Sequence, residues 1–520
     1  MSRMLKSSGA VAVATLLSRI LGFLRESAYA GFMGDTRAAS AFQLAFMFPN
    51  LLRRLLGEGA LTAVFVPVFK RQEREQGLEA SWRGASAVVS AVVLLCSLAV
   101  VAGLLVTTVL VEWVPMEWRR ELMLRLLRIM LPYGIFMCVA AVFVGMLNTQ
   151  GRYFLPALGN AMMNVVMIAS VYLVAPRFGV SLDQQVRGLA FGVVLAGIVQ
   201  AAFQLPALRS VGFSFRWGNP FADPTVREVA RRMLPATIGV AAYQINVVVA
   251  GLMADQQAEY VVASYNYAVR LMELPQGVIG VSLATYLLTE LSGLATDKKY
   301  VEFRGVLREG MLNLVFLNAL ATVLLFVLAE PVIRLLFEHG KFTAVSTDRS
   351  TFALECLIPG LVAFSLNNII GRAFYALGDT STPMRIGVFC LGMNVVLVWL
   401  LVVPFRQGGL GIANSISALV NTGLLVYALR RKLPRFGFRE MQGPVLRMVA
   451  LSLVAGAFAW MAHRAWDQQV GHAGFWRQVG AVFVPSGIAA AAYLALALAI
   501  KLPQAQEMTS LVSRRLGRPR

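Results

Sequence analysis

The apolar positions of this chain fall in long unbroken runs separated by short polar breaks, without the strict alternation of a half-buried strand. With roughly 20 mostly apolar residues needed to cross a bilayer, fourteen such runs are found, near 8–33, 38–69, 84–111, 122–149, 155–175, 186–208, 226–252, 258–291, 305–330, 349–376, 383–404, 409–430, 443–463 and 477–500. Continuous runs exclude a transmembrane β-barrel, whose segments are about ten residues long and alternate. The expected fold class is an all-α polytopic membrane protein with about 14 transmembrane helices.

The polar, proline and glycine positions repeat in order. Pro132, Gly151 and Pro156 recur as Pro359, Gly378 and Pro383 at an offset of 227, and Met163-Asn164-Val165-Val166 recurs as Met393-Asn394-Val395-Val396 at 230. Gly188-Leu189, Val199 and Ala207-Leu208-Arg209 recur as Gly409-Leu410, Val420 and Ala428-Leu429-Arg430 at 221, the shifts falling in loops. This pattern predicts two pseudo-symmetric six-helix lobes, 1–220 and 221–436, the parallel-repeat arrangement of many transporters, followed by two extra helices and a basic tail over 437–520.

Composition sharpens the picture. The chain is 58% hydrophobic and 14% charged, against about 25% charged in a soluble domain, which excludes a soluble enzyme. Its net charge of +20 points to anionic lipid and cytoplasmic loops rather than to nucleic acid. Lys and Arg number 29 at the ends and loops on the side of the N-terminus and 11 on the other, which predicts both termini in the cytoplasm. The first run is interrupted by Arg19, Arg25 and Glu26 and is expected to be a retained span, not a signal peptide. Cys96, Cys138, Cys356 and Cys390 lie in apolar runs, and His339, His463 and His472 have no ligand spacing, so neither a disulfide framework nor a zinc site is expected.

Seven basic residues lie inside spans. Arg125 and Arg128 are near a span end and snorkel, and Arg54 is similar. Arg19, in contrast, is roughly 16 Å into the first span, with Arg53 and Arg270 at comparable depth. Each such arginine costs about 2.5–3.5 kcal/mol to insert. Local acids offer one compensation, since Glu26, Glu58 and Glu273 follow closely in sequence. The functional alternative is that Arg19, Arg25, Arg53 and Arg270 line a water-filled cavity between the halves and bind an anion, because a guanidinium stays charged and grips phosphate with two parallel hydrogen bonds. Helix breakers stand beside them. Pro49, Gly57 and Gly59 flank Arg53, and Pro275, Gly277 and Gly280 follow Glu273, which predicts hinges for alternating access.

These residues carry a resemblance. Ser18-Arg19-Ile20-Leu21-Gly22-Phe23-Leu24-Arg25-Glu26, Phe48-Pro49-Asn50-Leu51-Leu52-Arg53-Arg54 with Glu58-Gly59-Ala60 and Phe65-Val66-Pro67, Arg270-Leu271-Met272-Glu273-Leu274-Pro275 with Gly277-Val278, and Gly340-Lys341-Phe342-Thr343 are similar to the motifs of the MurJ (MviN) family. That family comprises bacterial lipid II flippases of the multidrug/oligosaccharidyl-lipid/polysaccharide exporter superfamily. The resemblance implies a non-enzymatic transporter in the bacterial inner membrane, acting as a monomer on lipid II, an undecaprenyl-pyrophosphate-linked disaccharide-peptide. It implies a substrate site of Arg19, Arg25, Arg53, Arg270 and Glu273, with Ser18 and Asn50 of the same motifs, hinges at Gly22, Pro49, Gly57, Gly59, Pro275 and Gly277, and a lipid-tail groove formed by spans thirteen and fourteen. The sequence departs from the family pattern at Ser40 and Val269, where acids are frequent. Some members bind sodium through spans seven, eleven and twelve. Here span eleven offers Asn394 without an acid and span seven offers Gln244 and Asn246, which speaks against a sodium site and leaves no cofactor expected.

Two other readings compete. Within transport the competing reading is a flippase for a different polyprenyl-pyrophosphate oligosaccharide or an exporter of the drug-extruding MATE kind, although an exporter of cations calls for acids in its cavity. A membrane glycosyltransferase also needs phosphate-binding arginines, but in addition a catalytic carboxylate or metal-binding acids on the outer loops, and the outer acids show no such spacing.

Overall fold

The computed structural model describes residues 3–57, 60–434 and 436–516; Glu58 and the expected hinge Gly59 fall outside them. All regular structure among the described residues is helical, and the helices gather into two compact units, residues 1–255 with 339–342, and residues 256–338 with 343–520. The first unit contains α1 (Arg3–Met33), α2 (Arg37–Leu52), α3 (Ala60–Gln76), α4 (Leu78–Trp113), α5 (Trp118–Met130), α6 (Tyr133–Thr149), α7 (Phe154–Ala169), α8 (Leu182–Ala202), α9 (Leu205–Ser210) and α10 (Pro224–Asp255). The second contains α11 (Val261–Pro275), α12 (Ser282–Thr296), α13 (Tyr300–Val327), α14 (Ala329–Phe337), α15 (Ala344–Leu357), α16 (Leu361–Ala376), α17 (Ser381–Phe405), α18 (Gln407–Lys432), α19 (Phe438–Gln469), α20 (Phe475–Ala499) and α21 (Pro503–Leu516).

Ten helical stretches among the described residues are long and apolar enough to cross a membrane, and α5 with α6, bent by 41°, makes an eleventh. The chain is therefore a multi-pass membrane protein. The remaining three of the fourteen expected runs are helical as well, in α1, in α2 with α3, and in α10. The run at 122–149 is broken at Leu131–Pro132, because proline lacks the amide that would continue the ladder.

In the first unit α1 lies along α7, α7 on α8, and α10 against α2, α3 and α4. An aromatic ladder fixes this packing: Phe65–Phe69 at 5.7 Å, Phe69–Trp82 at 5.0 Å and Trp82–Phe213 at 5.4 Å between ring centroids. Such contacts matter here because lipid supplies no hydrophobic drive between helices, so association rests on close packing. In the second unit, Leu287, Phe303, Leu307, Phe374, Leu425 and Leu429 form a core shared by α12, α13, α16 and α18. The last pair, α19 and α20, packs on α13 through Met448, Ala455, Ala459, Ala489 and Tyr493, and the Tyr493 hydroxyl donates to the Phe316 carbonyl at 3.0 Å.

The repeated Gly151 and Gly378 occupy the same turn. Both are left-handed, with φ of 71° and 74°, and each ends a helix. Arg152 N donates to Leu147 O and Asp379 N to Phe374 O, both at 2.9 Å, the six-to-one bond of a Schellman cap. From this turn Arg152 donates to Ser210 at 2.7 Å, whereas Asp379 accepts from Lys432 at 2.6 Å. Backbone is repeated and charge is not.

Candidate functional site

Both sets of predicted breakers sit at distorted helix. After the buried Pro49, α2 gives way to a π-helical turn over Arg53–Gly57, and after Pro275, α11 gives way to another over Gln276–Val281, which includes Gly277 and Gly280. Such turns widen the helix by one residue and leave backbone groups looser than in a regular ladder. Helix α1, in contrast, runs unbroken through Gly22.

The first unit holds Ser18, Arg19, Arg25, Asn50 and Arg53. Arg19 is exposed and makes no hydrogen bond or ion pair among the described residues. Arg25, less than two turns further along α1, is in a different state, its side chain only 13% exposed. It pairs with Glu26, donates from Nη1 to Asn164 Oδ1 at 3.0 Å, approaches Met167 Sδ at 3.6 Å, and lies 5.9 Å from the centre of the Tyr29 ring. The acid Glu26 thus serves its neighbour Arg25. Arg53 opens the π-helical turn, and its Nε donates to Asn50 Oδ1 at 2.8 Å, which fixes the direction of the guanidinium fork. Arg54 reaches Gln244 Oε1 at 3.5 Å.

The second unit holds Arg270 and Glu273 on α11, joined at 2.9 Å with side chains 35% and 45% exposed. The pair is only partly enclosed by the protein, and its two members stand three residues apart on one helix. Both side chains keep surface that the protein itself does not cover.

Sequence reasoning did not foresee Asn164 and Met167 as partners of Arg25, or Gln244 as a partner of Arg54. Asn164 had a signal, since it is the polar residue of the repeated Met-Asn-Val-Val string inside an apolar span. Helix α17 carries no carboxylate around Asn394, and the Gln244 side-chain oxygen accepts from Arg54 Nη1 at 3.5 Å. Among the described residues no group of three or more His, Cys, Asp or Glu side chains is placed to hold a metal.

Long apolar helices, arginines held inside them and π-helical breaks beside those arginines define a multi-pass membrane transporter. The fold agrees: over 98% of its length the chain resembles the solved structure titled "Lipid II flippase MurJ, inward closed conformation", with a TM-score of 0.77 at 22% identity and 99% of that chain covered. It also resembles the inward-facing conformation of a multidrug resistance MATE family transporter of the MOP superfamily, with a TM-score of 0.68 at 15% identity over 80% of this chain and 95% of that one. Residues 29–479 match the family model described as Lipid II flippase MurJ. Relatives include a probable lipid II flippase MurJ of Bdellovibrio bacteriovorus, 31% identical over 96% of both chains, and one of Vibrio cholerae, 32% identical over 88% of this chain and 91% of its own. A lipid II flippase MurJ of Burkholderia cenocepacia is 34% identical over 80% of this chain and 82% of its own. The chain belongs to the MurJ lipid II flippase family.

Proposed function

We propose that this protein carries lipid II from the inner to the outer leaflet of the bacterial cytoplasmic membrane by alternating access. The observation that carries the reading is a set of arginines held inside membrane helices of a MurJ-family chain, with Arg19 exposed and Arg53 aimed by Asn50. The pyrophosphate is the natural counter-charge, taken by Arg19, Arg25 and Arg53 of the first unit and Arg270 of the second, with Glu273, Ser18 and Asn50 completing the set. Gly22, Pro49, Gly57, Gly59, Pro275 and Gly277 supply the bending, which the π-helical turns after Pro49 and Pro275 support. The polyprenyl tail stays in lipid along α19 and α20. No covalent bond changes, so the protein is a transporter and not an enzyme.

In this reading the single chain is the working unit, with fourteen spans in two six-helix lobes, 1–220 and 221–436, and the extra pair over 437–520. Both termini are cytoplasmic, as the 29 to 11 distribution of Lys and Arg supports. The inside-negative potential acts on the empty cationic site at about 2.3 kcal/mol per charge per 100 mV and returns it inward. Depletion in the native bacterium tests the whole. Lipid II open to an impermeant hydrolase added outside should fall while total lipid II rises; unchanged outside exposure overturns the proposal.

A further inference from the structure

Asn164 sits within α7, 5% exposed, and reaches α1 at two points. Its Nδ2 donates to the Ser18 carbonyl at 3.2 Å, and its Oδ1 accepts from Arg25 Nη1 at 3.0 Å. The two contacts fall on either side of Gly22, the residue of α1 that faces the amide, where an added Cβ would lie 3.6 Å from Asn164 Nδ2. Around Arg25, Nη2 goes to Glu26, Nη1 to Asn164 and Met167, and Nε is buried with no hydrogen-bond partner among the described residues.

A guanidinium in this setting needs acceptors, and their chemistry decides what it can still do. Glu26 cancels charge. A second carboxylate at Asn164 would cancel the attraction of Arg25 for an anion, while an apolar side chain would leave Nη1 with only the weak thioether acceptor of Met167, a costly state away from water. A carboxamide satisfies the N–H, fixes the plane of the fork and adds no charge. Its own amino group is in turn held by the Ser18 carbonyl, so the acceptor cannot swing away from Arg25.

We propose that Asn164 is a positioning residue of the anion site: through its neutral carboxamide it orients Arg25 toward the pyrophosphate of the substrate. This rests on the reading that Arg25 contacts that pyrophosphate. Asn164 itself touches no substrate in the proposal, and acts through Arg25 alone.

The test is a double-mutant cycle on the affinity of the purified full-length protein for lipid II, measured by native mass spectrometry. The cycle comprises wild type, Arg25→Ala, Asn164→Ala and the double variant. A hydrogen bond to a charged group corresponds to about ten-fold or more in affinity, so each single variant is expected to weaken binding by that factor. The double variant is expected to bind no more weakly than Arg25→Ala, because the work of Asn164 is lost once Arg25 is gone. A loss equal to the product of the two single losses marks Asn164 as a structural staple and overturns the inference. So does unchanged binding by Asn164→Ala. Unchanged binding by Arg25→Ala is a separate outcome that removes the anion-site reading itself. Should Asn164→Ala fail to accumulate in membranes, Asn164→Ser takes its place, since a hydroxyl keeps polarity near Ser18 but is one bond too short to serve Arg25.

Discussion

The backbone amide of Lys341 donates to the carbonyl of Gly31 at 2.8 Å and so seats residues 339–342 on the C-terminal end of α1, within the first compact unit. Phe342 is buried there, and the Lys341 ammonium lies 5.8 Å from the Phe32 ring centre. Two glycines make the seat. Gly340 and Gly34 both have φ of 61°, and a Cβ would lie 2.2 Å from the Gly31 oxygen at the first and 2.5 Å from the Lys341 oxygen at the second.

Gly340→Ala is therefore expected to unseat the segment. Gly378→Ala is the control, since Gly378 is also left-handed at φ of 74° but has nothing within 4 Å of its added Cβ. Both changes incur the left-handed penalty of about 1–2 kcal/mol, and only Gly340→Ala adds a clash with backbone. Thermal unfolding in detergent should show the larger drop in midpoint for Gly340→Ala; equal drops would show that the close approach is unimportant.

Asp379 lies in the turn before α17 and accepts from Lys432 Nζ at 2.6 Å, Thr382 N at 3.0 Å and Thr382 Oγ1 at 2.8 Å. The Lys432 hydrogen bond first, and the Thr382 amide second, hold its carboxyl well below the usual carboxylate range. A depressed carboxyl stabilises the fold above its unfolded value of about 4 and loses that contribution as pH falls below it toward the folded value. Asp379→Asn keeps an oxygen for Thr382 but loses the charge that holds Lys432, and is expected to lower stability at neutral pH by at most about 1 kcal/mol, the scale of an ion pair near the surface. The wild-type advantage should shrink below roughly pH 4. Melting curves of the two proteins across that range check it, and a gap that stays constant with pH contradicts the assignment.

The extent to which sequence foretells this structure depends on the range of the interaction. Apolar runs specify helices because each run is its own evidence, and the Gly151 and Gly378 turns were legible because glycine repeats where φ must be positive. The breaks after Pro49 and Pro275 were legible for the same local reason, though not their π-helical form. The partner of Arg25 was not legible: Asn164 is 139 residues away, and no periodicity reports which buried amide meets which guanidinium. Likewise, nothing in Gly340-Lys341-Phe342-Thr343 says that it packs with α1.

Arg119 Nε and Asp255 Oδ2 lie 3.4 Å apart with both side chains 8% exposed, joining α5 to the end of α10. Asp255 Oδ1 has no hydrogen-bond partner among the described residues, so the pair is incompletely satisfied. Removing one partner strands the other charge in a buried site, at a cost of about 3–5 kcal/mol, whereas replacing both with apolar residues is often neutral. Asp255→Asn is thus expected to be strongly destabilising and Arg119→Met with Asp255→Leu close to wild type, as read by thermal unfolding and membrane abundance. A double variant as unstable as the single would mean that the pair itself holds the fold.

The pair Arg270–Glu273 separates anion binding from structural pairing. The pair is local, between residues three apart on α11 at 2.9 Å with side chains 35% and 45% exposed, so Arg270→Ala is expected to reach wild-type abundance in the membrane. If pairing were its purpose, neutralising both residues with Arg270→Gln and Glu273→Gln would restore growth, because neither would be left without its partner. If Arg270 grips the pyrophosphate, the double variant stays inactive, since the lost partner is the substrate. Arg270→Lys should then recover transport only in part, because an ammonium is a point charge and cannot form the bidentate fork. Complementation of a depleted strain, with abundance checked by blot, reads all three. Normal growth of the doubly neutral variant removes Arg270 from the site.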